Sequence, residues 1–189
     1  MIKALIFDCF GVVVTETLTP FRDRYFSHDK RALEQLNDMT KAVDLGFLSK
    51  VDYHREISRL CGLSEQEIYN TLENGSTLDT RMIDVIKSYK PRYKIGMLSN
   101  VSPRRIDDFL SSQDKKLFDD LALSYELGVT KPDYAAYRAA AERLGVSPEE
   151  CVFIDDQERN VTAACEVGMR SIHYKNFAQF ERELKKLLQ

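Results

Sequence analysis

Asp8, Ser99–Asn100 and Asp155–Asp156 each follow directly on a short apolar run: IKALIF (2–7), YKIGML (93–98) and CVFI (151–154). Runs of this length suit strands buried on both faces of a parallel sheet. The ends of parallel strands lie along one rim, so side chains far apart in the chain converge there. Taken singly, an aspartate at a strand end serves equally well as a helix cap or a turn former. Together, Asp8, Asp155 and Asp156 would repel one another unless a cation sat among them, and a hard divalent ion with oxygen ligands, magnesium above all, resolves the conflict. Lys131, in GVTKPDYAAY, stands in a loop leading into a helix that Pro132 and Asp133 open. An isolated loop lysine is ordinarily solvated. Beside an anion-binding rim it would instead neutralise a phosphoryl group and the charge of a carboxylate nucleophile.

The elements that must hold these groups follow from periodicity. Residues 170–174 (RSIHY) and, more weakly, 121–124 (LALS) read as further strands. Met82, Val85, Ile86 and Tyr89 form an apolar helical stripe, as do Tyr137, Ala141 and Leu144, ended by Gly145. Val161, Ala164, Cys165 and Gly168 form a third stripe, and Phe177, Phe180, Leu184 and Leu187 a closing one. Strand and helix alternate from residue 79 onward, the pattern of a doubly wound α/β domain. Residues 16–78 break the rhythm and read as helices only, over 31–43, 50–61 and 64–74, with Ser64 and Glu67 spaced as a capping box. The expected organisation is an α/β core of residues 1–15 and 79–189 with a helical insertion at 16–78. Inserted after the first strand, these helices either cover the ligand-binding edge of the sheet or merely enlarge the core.

At 189 residues, with 43% hydrophobic and 30% charged side chains, the chain has the composition of one compact domain carrying an insertion. A formal charge of -3, with no long block of like charge, gives no footprint for nucleic acid or an anionic membrane. The longest apolar stretches fall far short of the ~20 residues that span a bilayer, and Asp8 interrupts the N-terminal one as a signal peptide would not allow. The four cysteines (Cys9, Cys61, Cys151, Cys165) form no CxxC pair and His28, His54 and His173 are isolated. Free thiols in a reducing cytoplasm are therefore expected, rather than a zinc cluster.

Taken in order, IFDCFGVVV, IGMLSN, TKPDYAAY and VFIDDQERNVTAACEVGM resemble the four motifs of the haloacid dehalogenase-like hydrolase superfamily, across nearly the whole chain. The insertion stands where that family places a small cap, and GFLSKVDYHREISRLCGLSEQEI is similar in character to the cap of its sugar-phosphatase and epoxide-hydrolase N-domain branches. The resemblance implies a Rossmann-like core and a phosphatase acting on a small phosphorylated molecule, a sugar phosphate by branch. It implies that Asp8 attacks phosphorus to form an aspartyl-phosphate. Ser99 would donate its hydroxyl to a phosphoryl oxygen beside the Asn100 backbone, and Lys131 would hold both Asp8 and the phosphoryl group. Magnesium would be held by Asp8, the Phe10 main-chain carbonyl and Asp156, with Asp155 a ligand directly or through water.

One position departs from the pattern. Where the family carries a second aspartate, two residues after the nucleophile, this chain has Phe10. That carboxylate normally protonates the leaving group and activates water, a contribution of ~10²–10⁴-fold. Three readings follow. The chain hydrolyses esters whose leaving group needs little protonation, or borrows an acid such as Glu16 or His28; or it is an inactive anion- or metal-binding regulatory member; or it is a 2-haloacid dehalogenase, against which the Asp155–Asp156 pair argues.

Several side residues carry two readings each. Asn160 either orients Lys131 or the metal shell or caps the following helix. Phe21, Tyr25 and Phe26 either line a pocket or form a core stripe, the reading their spacing favours. Arg104 and Arg105 read as solvated surface with an option on the phosphate, and Cys9 as an inert neighbour of Asp8. The pattern sets no oligomeric state.

Overall fold

The computed structural model describes Met1–Gln189. Five strands form one sheet: β1 (Ala4–Phe7), β2 (Lys94–Ser99), β3 (Asp120–Leu123), β4 (Cys151–Asp155) and β5 (Arg170–His173). All neighbours are parallel, in the order β3-β2-β1-β4-β5. The helices are α1 (Leu18–Tyr25), α2 (Lys30–Asp44), α3 (Lys50–Cys61), α4 (Glu65–Leu72), α5 (Thr80–Tyr89), α6 (Ser112–Lys115), α7 (Ser124–Leu127), α8 (Tyr134–Arg143), α9 (Glu158–Glu166) and α10 (Phe177–Leu187).

Successive strand residues point to opposite faces, and here both faces are buried. Leu5 and Phe7 of β1 join Ile95, Met97, Val152 and Ile154 under α5 and α10. Ala4 and Ile6 join Leu98 and Phe153 under α8 and α9. This double burial is why the strands read as continuous apolar runs rather than alternating ones. The structure is thus the expected doubly wound α/β sheet, with boundaries shifted by a residue: Ser99 and Asp155 are the last residues of their strands, not the first beyond them.

Helices α1–α4 enclose an apolar cluster of their own, built on Phe21, Phe26, Leu36, Ile57 and Ile68. Chain enters and leaves this group side by side: Val14 bridges Leu78, and the Thr15 N–H donates to the Thr77 carbonyl at 2.9 Å. The three expected helices appear as α2, α3 and α4, and Ser64 and Glu67 form the capping box. Helix α1 is additional to the expectation. Its signal was the Glu16 carboxylate, which accepts from the Leu18 and Thr19 N–H groups at 2.7 and 2.8 Å, followed by a proline tolerated in the first turn.

Candidate active site

Strand register builds the centre. Phe7 lies opposite Ile154 on the adjacent strand, so Asp8 and Asp155, one residue on, leave the sheet together. The Asp8 N–H donates to the Ile154 carbonyl at 2.8 Å, holding its backbone to β4. Lys131, 4% exposed, reaches between the two: its Nζ stands 2.8 Å from Asp8 Oδ1 and 2.6 Å from Asp155 Oδ2. Burial alone would discharge the lysine, but the two carboxylates outweigh it and hold the ammonium protonated. The Asn100 amide pins the lysine's backbone, donating to the Lys131 carbonyl at 2.9 Å and accepting from its N–H at 2.7 Å.

The two adjacent aspartates are differently placed. Asp155 is fully buried and both of its oxygens are taken by protein donors: Lys131 Nζ, the Gln157 N–H at 2.8 Å, and Asn160 Nδ2 at 3.0 and 3.1 Å. Asp156 has a buried Oδ1 with no partner. Its backbone carbonyl lies 2.9 Å from His173 Nε2, a contact from β5 that the isolated histidine in the sequence did not signal. Gly11, at a φ of +92°, gives the Asp156 carboxylate room, because a Cβ there would lie 2.3 Å from Asp156 Cγ. Oxygens of Asp8, Asp155 and Asp156 lie within 4.8 Å of one another. Burial, then Asp155 and Asp156, push the Asp8 carboxyl well above the ordinary range despite Lys131. Burial, Asp155 and Glu16 push Asp156 up to about 6. Lys131 offsets one of three possible negative charges, and a further cation would relieve the rest, at a donor set that is all oxygen.

Ser99 is 0% exposed at the end of β2, with its Oγ unpartnered. A cavity of about 390 Å³ opens between the sheet rim and α1–α3, with Asp8, Phe10, Asn100 and Lys131 on its floor and Glu16, Arg22 and Asp44 among its upper walls.

The remaining candidates divide. Asn160 lies within α9 and turns to Asp155; the helix cap falls at Gln157 instead. Phe21 and Phe26 are buried in the α1–α4 cluster, Tyr25 is half-exposed, and none of them lines the cavity. His28 is exposed in the turn between α1 and α2 and lies outside the cavity. Glu16 reaches the wall, but both its oxygens already cap α1. Cys9 is buried, and desolvation and Asp8 push its thiol far up, leaving it inert. Arg105 corrects the expectation of a solvated residue. It is 8% exposed, lines the cavity, pairs with Glu73 at 2.6 Å and stacks over Phe10 and Phe109 at 5.6 and 4.5 Å. Arg22 and Asp44 carried no sequence signal beyond ordinary helix polarity.

The chain is similar to known proteins along nearly its whole length. The chain is 28% identical to the D-ribitol-5-phosphate phosphatase of Bacteroides thetaiotaomicron over 100% of its own length and 99% of the relative's. It is 26% identical to a sesquiterpene phosphatase of Aspergillus oryzae, covering 98% and 96% of the two chains. A crystal structure of a haloacid dehalogenase family enzyme from B. thetaiotaomicron superposes with a TM-score of 0.73 at 23% identity, over 92% of this chain and 94% of that one. That enzyme has also been solved in complex with magnesium and inorganic phosphate. A sequence model described as haloacid dehalogenase-like hydrolase matches residues 2–168, everything up to the last strand and helix. The chain belongs to the haloacid dehalogenase-like hydrolase family.

Proposed function

We propose that this hydrolase is a magnesium-dependent phosphatase of small phosphate esters that works through an aspartyl-phosphate on Asp8, with residues 16–78 forming a cap over a core of 1–15 and 79–189. The observation that carries the reading is a pair of buried, unpartnered polar atoms, Ser99 Oγ and Asp156 Oδ1, on the rim that holds the Lys131-paired Asp8. Buried polar atoms are nearly always satisfied, so two orphans beside a lysine-held carboxylate point to groups that arrive with the ligand.

An Asp8 carboxylate oxygen attacks phosphorus, the bond from phosphorus to the ester oxygen breaks, and that oxygen leaves with the bonding pair and takes a proton from solvent water to become the alcohol. Water then attacks the phosphorus of the aspartyl-phosphate, giving its proton to solvent as the bond from phosphorus to the Asp8 oxygen breaks, which releases orthophosphate and restores the Asp8 carboxylate. Lys131 offsets charge on Asp8 and on the phosphoryl oxygens, and Ser99 donates its hydroxyl to one of them. Asp8, the Phe10 carbonyl and Asp156 would hold magnesium, with Asp155, already bonded to Lys131 and Asn160, acting beyond them. Bound there, the ion supplies charge neutralisation and orientation for the phosphoryl group. A B. thetaiotaomicron enzyme of the same fold has been solved with magnesium and inorganic phosphate, which supports a magnesium-dependent phosphatase. With Phe10 in place of an acid, good leaving groups are favoured.

Magnesium-dependent phosphate release from a panel of phosphorylated metabolites, abolished in Asp8→Asn, is the expected result. A panel with no release sinks the phosphatase reading in favour of a binding role, and metal-independent halide release from 2-haloacids would replace it with a dehalogenase.

A further inference from the structure

Two half-buried ionisable side chains in the cavity have no partner in the protein. Arg22 projects from α1, its Nε buried without an acceptor. Asp44 closes α2 and lines the same cavity, and its carboxylate makes neither a hydrogen bond nor an ion pair. The two sense each other electrostatically, and Asp44 also senses Lys131, yet none of these groups touches it. Burial pushes Asp44 up to about 7. Arg22 is shifted down by burial, against the pull of Tyr53, Glu16 and Asp44. Drawing opposite charges half out of water without joining them costs stability, a cost that a polar group bound between them would offset.

Position says what that group is attached to. The Asp44 carbonyl accepts from Ser124 Oγ, which in turn accepts from the Val101 N–H at 2.9 Å, two residues beyond Ser99. The end of α2 is thereby tied to the phosphoryl end of the cavity. Asn37, Thr40, Lys41 and Asp44, spaced along one face of α2, continue the wall. Only six of the 27 lining residues are hydrophobic, a poor wall for a terpenyl chain and a good one for hydroxyls.

We propose that Arg22 and Asp44 are specificity-determining residues that read hydroxyl groups on the organic half of the phosphate ester, the guanidinium donating to hydroxyl oxygens and the carboxylate accepting their hydrogens. The inference rests on the phosphatase reading for the placement of the phosphoryl group, and selects sugar or polyol phosphates over hydrocarbon ones.

The test compares D-ribitol 5-phosphate with n-pentyl phosphate, which share a primary ester oxygen and chain length but differ in hydroxyls. Calorimetric affinities are measured with magnesium in the Asp8→Asn background, so turnover plays no part. The polyol ester is expected to bind about tenfold tighter or better, the sum of a few hydrogen bonds. Adding Asp44→Asn or Arg22→Gln should each cut that ratio about fivefold. Equal affinities in the background protein, or a ratio that neither variant moves, overturns the proposal. Ligand-free melting temperatures should hold or rise in both variants, because each removes an enclosed unpaired charge; a fall in both assigns the residues to cap stability and also overturns it. Wild type that releases no phosphate while the binding ratio behaves as expected sinks the phosphatase reading alone.

Discussion

Phe10 shows how one side chain sets the chemistry a site can do. Its ring packs edge-to-face on Phe109 at 5.7 Å and lies under the Arg105 guanidinium. The position normally held by an acid is thus part of an aromatic–cation stack facing the cavity. In Phe10→Asp the new carboxyl should lift turnover of alkyl phosphates relative to nitrophenyl phosphate. The gain should stay at or below the low end of the ~10²-fold expected of a positioned acid, because Arg105 will hold the carboxyl ionised. Steady-state kinetics on the two esters read this, and an unchanged ratio would mean that residue 10 does not face the leaving group. Asp8, Ser99 and Asp155 were legible because parallel strand ends must converge, and Lys131 because it stands in a loop before a helix opened by Pro132 and Asp133. Arg105 and Asp44 were not: the partner that buries Arg105 is Glu73, thirty-two positions earlier, and a polar residue on an amphipathic helix looks the same whether it faces water or a cavity.

Elements contribute the joint. Arg105, on the segment after β2, donates to the Leu72 carbonyl at 3.0 Å and pairs with Glu73 at the end of α4, while Lys50 and His54 of α3 approach the same carboxylate at 3.3 and 3.2 Å. Burial would raise the Glu73 carboxyl, but His54, Arg105 and Lys50 together pull it down to about 2. A carboxyl lowered on folding stabilises the fold in full above its ordinary value near 4.5 and loses that contribution as pH falls toward about 2. Arg105→Met should cost about 2 kcal/mol at neutral pH, by taking from Glu73 one of its three partners while Lys50 and His54 remain. It should also flatten the loss of stability between pH 4.5 and pH 2, the window that pair defines. Urea denaturation across that range reads both effects, and a variant as acid-sensitive as wild type would remove Glu73 from the joint. The helices and strands themselves were largely readable, since double burial makes each strand a short apolar run. Helix α1 escaped because a proline and a side-chain cap, not an apolar stripe, define its start.

For the whole molecule the sheet rim trades stability for binding. Two apolar clusters clamp the sheet from either face, so the rim can hold three carboxylates against one lysine without unravelling. Asp155 is secured by Lys131 and Asn160, leaving Asp156 as the least compensated member, with an unpartnered oxygen in a pocket that Gly11 keeps open. No helix is long and apolar enough to cross a membrane. The fold bears the repulsion at the rim unless a cation arrives. Magnesium at a hundredfold excess over its dissociation constant would add about 2.7 kcal/mol. In a chain of this size that is a rise of roughly 5–10 °C in melting temperature. Asp156→Asn should do two opposite things: raise the melting temperature of the metal-free protein, by removing one of the clustered charges, and erase the magnesium-induced rise. Thermal melts of both proteins with magnesium and with chelator separate these effects. A wild type indifferent to magnesium would mean that Lys131 alone balances the rim, and a destabilised Asp156→Asn would make Asp156 a structural member of the β4–α9 turn rather than a waiting ligand.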